Sequence, residues 1–152
     1  MSIGQGENAQ TLLNMVRFYG ALANNGIEVT PRVARERAAR RRVFHLPPDQ
    51  QTQLRAALVG VVATGTAAGA AIRGLSVAGK TGTAQTGVFV DGEELNHAWF
   101  VGFAPANDPK IVVAVMLENV RFHGSVAAGI ATKIMSRFLH AQVKSAVRTE
   151  AR

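Results

Sequence analysis

The residues with the most chemical potential lie in one short run, Gly79-Lys80-Thr81-Gly82-Thr83-Ala84-Gln85. An ammonium and a hydroxyl on consecutive residues can hold an anion, one by charge and the other by a donated hydrogen bond. The flanking glycines let a ligand or another backbone approach closely. Counted from Gly74, the run also fits a phosphate loop: a glycine, four residues, then Gly-Lys-Thr. The two readings demand opposite surroundings. A phosphate loop needs a strand before its first glycine and a helix opening at its Lys-Thr, whose N-terminal amides hold the phosphates. Here an Ala/Gly-rich helix exit precedes Gly74, and Gly82, Thr83, Thr86, Gly87 and Val88 follow, all poor helix formers. The context points to a strand whose Lys-Thr edge can hold an anion, with a P-loop nucleotide-binding protein as the lesser alternative.

Other residue types carry less. His45, His97, His123 and His140 share no metal-ligand spacing, so each is expected to be structural or superficial, and no metal is expected. Glu93 and Glu94 sit beside the turn signal Asp91-Gly92 and read as solvated loop charges rather than an acid and base pair. With no cysteine, a thiol nucleophile, a disulfide framework and a Cys-based zinc site are all excluded. The net charge of +7 favours acidic neighbours, and Arg32, Arg35, Arg37, Arg40, Arg41 and Arg42 concentrate it in what reads as an exposed connector. No aromatic residue is interleaved there to stack on bases and no recognition helix follows, so no nucleic acid is expected. A non-catalytic protein that binds anionic cell wall or membrane through these arginines is the alternative from a different class.

The scaffold for these residues is limited by size: 152 residues with 47% hydrophobic content suffice for one compact domain or part of one. No signal peptide opens the chain, and the longest apolar stretch, residues 56–63, is too short to cross a bilayer. After a glycine-rich opening at residues 2–7, Thr11 should cap a first helix carrying Leu12, Val16, Tyr19 and Ala23, stopped near Asn24-Asn25-Gly26. Residues 29–31 read as extended. A second helix should start at Pro47-Pro48-Asp49 and bury Leu54, Leu58, Val61 and Val62. Strands are expected over 75–85 and 98–104, joined by a hairpin at Asp91-Gly92, and over 111–117, which is apolar throughout and so should be covered on both faces. Gly124-Ser125 should cap a last helix that buries Val126, Ile130, Ile134 and Phe138, widened by Ala127, Ala131 and Met135. Residues 143–152 lack a sustained apolar face and read as a frayed tail.

Several of these stretches occur together, and in the same order, in one enzyme family. Residues 2–7 followed by Thr11-Leu12-Leu13, then Gly65-Thr66-Ala67, the Gly79 to Gln85 run, His97-Ala98-Trp99-Phe100-Val101-Gly102-Phe103-Ala104-Pro105 and Gly124-Ser125-Val126-Ala127-Ala128 resemble class B penicillin-binding proteins. The His-Ala-Trp-Phe strand is most similar to the cell-elongation branch. The resemblance implies an α+β fold, the C-terminal part of the penicillin-binding-protein and serine β-lactamase-like architecture, with three antiparallel strands packed with helices. It implies a peptidoglycan D,D-transpeptidase that cross-links stem peptides ending in D-Ala-D-Ala through a serine acyl-enzyme, needs no cofactor and is acylated by β-lactams. By the same resemblance Lys80 and Thr81 bind the substrate carboxylate, Gly82 gives the substrate room, and the backbone N–H of Thr83 is an oxyanion-hole donor.

The family's nucleophile lies in Ser-x-x-Lys, and here Ser2, Ser76, Ser125, Ser136 and Ser145 are each followed three residues later by something other than lysine. Ser-x-Asn is absent too. The expectation is therefore a partial transpeptidase domain over residues 1–152, its C-terminal half, inactive alone. Its partner would be the upstream half, with an inner-membrane anchor and a periplasm-facing or extracytoplasmic location in the parent protein. An unpaired edge on the 111–117 strand would favour self-association of the isolated chain.

Overall fold

The computed structural model describes residues 10–34, 36 and 38–150. The elements are α1 (Leu12–Ala23), β1 (Ile27–Val29), β2 (Arg41–Val43), α2 (Pro48–Ala63), a 3-10 turn at Ala68–Ala70, β3 (Ala78–Val90), β4 (Glu93–Ala104), β5 (Ile111–Val120) and α3 (Gly124–Glu150). Strands β3, β4 and β5 form an antiparallel sheet in that order, while β1 and β2 pair as a separate hairpin. The expected α+β fold with three antiparallel strands is present. The glycine-rich opening at residues 2–7, Arg35 and Arg37 lie outside the described residues.

Local chemistry sets the helix ends. Thr11 caps α1, its hydroxyl accepting the Asn14 N–H at 3.2 Å, and the helix stops where Asn25 and Gly26 take φ of 51° and 87°. Pro47 and Pro48 open α2, with Asp49 in its first turn. Its buried side differs from the expected one: Leu58 and Val62 are buried, but Leu54 is exposed. Arg55 turns inward instead, donating to the carbonyls of Ala106 and Leu22, both at 3.0 Å, with its guanidinium 5.6 Å from the Phe103 ring. A charged side chain thus satisfies a carbonyl at the end of α1, a role that apolar periodicity does not reveal.

The arginine-rich connector also departs from expectation. Arg41 and Arg42 belong to β2 and pair with Val29 and Glu28, so the segment closes a hairpin. In the main sheet, β3 starts three residues later than the expected 75 and runs five beyond 85. The turn at Asp91-Gly92 has positive φ at both residues, 54° and 79°. Since β4 begins at Glu93, Glu93 and Glu94 are strand residues, a correction to their reading as loop charges. Glu94 accepts from Gln85 Nε2 at 2.8 Å and from the Gly87 N–H at 3.0 Å, while Glu93 lies 3.2 Å from Arg121.

Strand alternation divides the core in two. Val77, Phe100, Ala104 and Val113 face α3, against Ala127, Ala128, Ala131 and Met135. Ala78, Val101 and Phe103 face the other way, against Tyr19 and Leu22 of α1 and Leu58 of α2. The α3 stripe is therefore rotated from its expected orientation. The alanine side is buried, while Val126, Ile130, Ile134 and Phe138 are 41, 39, 46 and 37% exposed. Small residues let the helix backbone approach the sheet closely, and that contact outweighs the larger side chains in setting the rotation. Gly124 is already helical, so Ser125 lies within the first turn, and α3 continues to Glu150. No helix among the described residues is long and apolar enough to cross a membrane.

Candidate functional site

Residues 80–83 lie on β3, the strand at one end of the sheet order. Register pairs Lys80 with Val101 and Gly82 with Trp99 on one face, and Thr81 with Phe100 and Thr83 with Ala98 on the α3 face. The Lys80 side chain folds back so that Nζ donates to the Thr81 carbonyl at 2.7 Å. On the opposite side of the strand, Thr81 Oγ1 lies 2.7 Å from Thr66 Oγ1, in the turn after α2. Thr83 Oγ1 accepts the Gly124 N–H at 3.2 Å and so takes up an N–H at the start of α3. This helix start is tight against the strand: a Cβ on Gly124 would lie 2.6 Å from the Gly82 carbonyl oxygen and 2.9 Å from Thr81 Cβ. The Thr81 and Thr83 hydroxyls thus meet the positive end of α3 on one side of the strand, while the Lys80 ammonium stands on the other beside the Thr81 carbonyl, and both sides offer groups suited to an anion.

The glycines of this segment seat aromatic rings. A Cβ on Gly79 would lie 2.3 Å from Cζ of Phe100, and one on its register partner Gly102 would lie 2.9 Å from the same ring. On the other face, a Cβ on Gly82 would lie 2.2 Å from Trp99 Nε1. The glycine before Lys80 therefore serves Phe100 packing inside a strand. The phosphate-loop alternative fails here, because Lys80 and Thr81 lie in the interior of β3 and no helix opens at them.

The family model described as the penicillin binding protein transpeptidase domain matches residues 1–136. The chain belongs to the penicillin-binding-protein transpeptidase family. Among its relatives, a peptidoglycan D,D-transpeptidase MrdA from Acinetobacter baumannii is 33% identical, the match covering 97% of this chain and 25% of the relative. The stage V sporulation protein D of Bacillus subtilis is 38% identical over 88% of this chain and 23% of its own length. Among solved structures, penicillin-binding protein A of Mycobacterium tuberculosis as its imipenem acyl-enzyme complex has a TM-score of 0.71 at 29% identity, covering 89% of this chain and 32% of that one. A peptidoglycan glycosyltransferase from Burkholderia ambifaria also gives 0.71 at 29% identity, covering 88% and 41%. The transpeptidase chain thus spans about a quarter of the length of these curated relatives.

Within this transpeptidase segment, the fold brings Lys80, Thr81, Gly82 and Thr83 together with two residues not expected at the site, Thr66 and Gly124. In the sequence Thr66 stands out only within the Gly65-Thr66-Ala67 stretch that shares the family resemblance, with no role attached to it. His97 acts locally: its Nδ1 accepts the Asn119 N–H at 3.3 Å, where the β4–β5 register shifts between Asn96 and Ala98 and Asn119 has φ of 52°. Among the described residues, no group of His, Asp and Glu could hold a metal ion.

Proposed function

We propose that this chain is the C-terminal half of a transpeptidase domain and supplies the substrate-binding wall of a peptidoglycan D,D-transpeptidase of the cell-elongation branch. Lys80 and Thr81 hold the terminal carboxylate of a D-Ala-D-Ala stem peptide, the ammonium by charge and the hydroxyl by donation. A serine from the Ser-x-x-Lys region upstream attacks the preceding carbonyl. The developing oxyanion accepts from the Thr83 N–H, a kind of interaction worth about 3 kcal/mol in acyl transfer. The terminal D-alanine then leaves, and an amine of a neighbouring stem peptide resolves the acyl-enzyme. A β-lactam offers its own carboxylate to the same pair and remains as the acyl group. The parent enzyme works on the extracytoplasmic side of the inner membrane.

The observation that carries this reading is that the Thr81 hydroxyl, held by Thr66, stands beside the start of α3 on the strand whose next residue back, Lys80, supplies an ammonium. A Lys-Thr pair that merely decorated an exposed strand would need no hydroxyl partner and no helix start against it. The test joins the chain to the upstream half of its domain and measures the second-order rate constant of penicillin acylation. Lys80→Ala and Thr81→Val should each lower it roughly ten- to hundredfold, the loss of a hydrogen bond to a charged group, with little change in melting temperature. Valine keeps the shape and strand preference of threonine, so its effect reports the lost donor. Wild-type acylation in both variants would end the assignment.

A further inference from the structure

We infer that Thr66 is a positioning residue that fixes the direction of the Thr81 hydroxyl proton, making the two threonines a relay aimed at the substrate carboxylate. The inference rests on the substrate-binding reading of Lys80 and Thr81. It starts from hydroxyl arithmetic: each group has one proton to donate and two lone pairs to accept with. The oxygens lie 2.7 Å apart, so one of the two donates to the other. If Thr81 donated to Thr66, its proton would be committed and the carboxylate would meet lone pairs. With Thr66 as donor, Thr81 keeps its proton for the anion, and donation into its oxygen polarises the outgoing bond.

The backbone gives Thr66 the fixed position this role needs. Residue 65 must be glycine, since a Cβ there would lie 2.9 Å from Val61 Cα and 3.0 Å from the Val61 carbonyl oxygen. The Ala67 N–H donates to Val61 O and the Ala68 N–H to Gly65 O, both at 3.0 Å. Ala67 itself is fully buried in the core beneath α3. The Thr66 hydroxyl is thus set between a closed helix end and a buried anchor, while its own side chain is exposed. Replacing an exposed threonine by valine leaves that anchorage intact.

The experiment uses the intact transpeptidase domain containing this chain, with a penicillin and its carboxylate methyl ester as probes. Thr66→Val should slow acylation by the free acid roughly three- to tenfold, the range of one neutral hydrogen bond, and Thr66→Ser should restore it. The ester, which presents no anion, should react with wild type and Thr66→Val at equal rates. Adding Thr66→Val to Thr81→Val should cause no further loss, because the relay is already cut. Equal acylation of wild type and Thr66→Val by the free acid overturns the inference while leaving the substrate-binding reading in place. So does an equal loss on acid and ester, or a fully additive double variant, either of which marks a structural role. Failure of the wild-type domain to acylate removes both.

Discussion

Gly82 lies against the indole of Trp99 so closely that a Cβ there would be 2.2 Å from Nε1 and 2.3 Å from Cε2. The pair shares a register position on the face away from α3. The glycine is therefore required from inside the protein, whatever room its absent side chain also leaves for a ligand.

Gly82→Ala should force the indole aside and cost about 1 to 3 kcal/mol, the usual range for overpacking a fitted contact. Trp99 is the single tryptophan, so its fluorescence reports the displacement directly. The double variant Gly82→Ala/Trp99→Leu should recover most of the lost melting temperature. An unchanged emission spectrum and melting temperature in Gly82→Ala would refute this account.

The same contact marks the boundary of what the sequence makes legible. The three long helices, the Thr11 cap and the three-stranded sheet follow from periodicity and turn chemistry, which act over a few residues, whereas the β1–β2 hairpin does not. The rotation of α3 does not, because it depends on how closely Ala127, Ala128 and Ala131 approach strands distant in the chain. Arg55 is hidden for the same reason: the carbonyls it satisfies come from the end of α1 and the loop after β4. At the site, the Lys80-Thr81 pair is visible as a motif, whereas Thr66 joins it only across the gap between α2 and β3.

The exposed α3 stripe and the outer edge of β5 suggest how the isolated chain behaves. Four large apolar side chains, Val126, Ile130, Ile134 and Phe138, line one exposed side of α3, and among the described residues β5 has β4 as its sheet neighbour on one side only. Exposed strand edges and contiguous apolar patches promote association. The isolated chain should run larger than 16.1 kDa by light scattering at high concentration, and Ile130→Lys with Ile134→Glu should shift it toward the monomer. A monomer in the unaltered chain at every concentration would contradict this.

Fluorescent penicillin should leave no covalent band on the isolated chain after denaturation. Acyl transfer needs an activated nucleophile, and no serine here is followed by lysine three residues on. Removing the nucleophile forfeits most of the rate even where an oxyanion donor survives. A stoichiometric adduct would overturn the placement of the nucleophile upstream, and its position would identify the serine that acts in its stead.

Tyr19, the only tyrosine, offers a test of the α1 side of the core. It packs with Leu22, Leu58, Val101 and Phe103, and burial pushes its phenol up to about 12 from the ordinary 10.0. The folded chain thus favours the neutral phenol, while the unfolded chain releases the proton from about pH 10. Above that pH the unfolded state binds fewer protons, so stability is fully present below pH 10 and declines as pH rises toward 12. The slope should be about 1.4 kcal/mol per pH unit in that window. The informative quantity is the difference from Tyr19→Phe, which keeps the ring and removes the ionisable group. Wild type should lose denaturant resistance faster than Tyr19→Phe between pH 10 and 12, and phenolate absorbance should appear only near or above pH 12 or together with unfolding. Parallel losses in the two proteins, or phenolate formation near pH 10 in the folded chain, would show that Tyr19 is open to water and that α1 does not seal this side of the sheet.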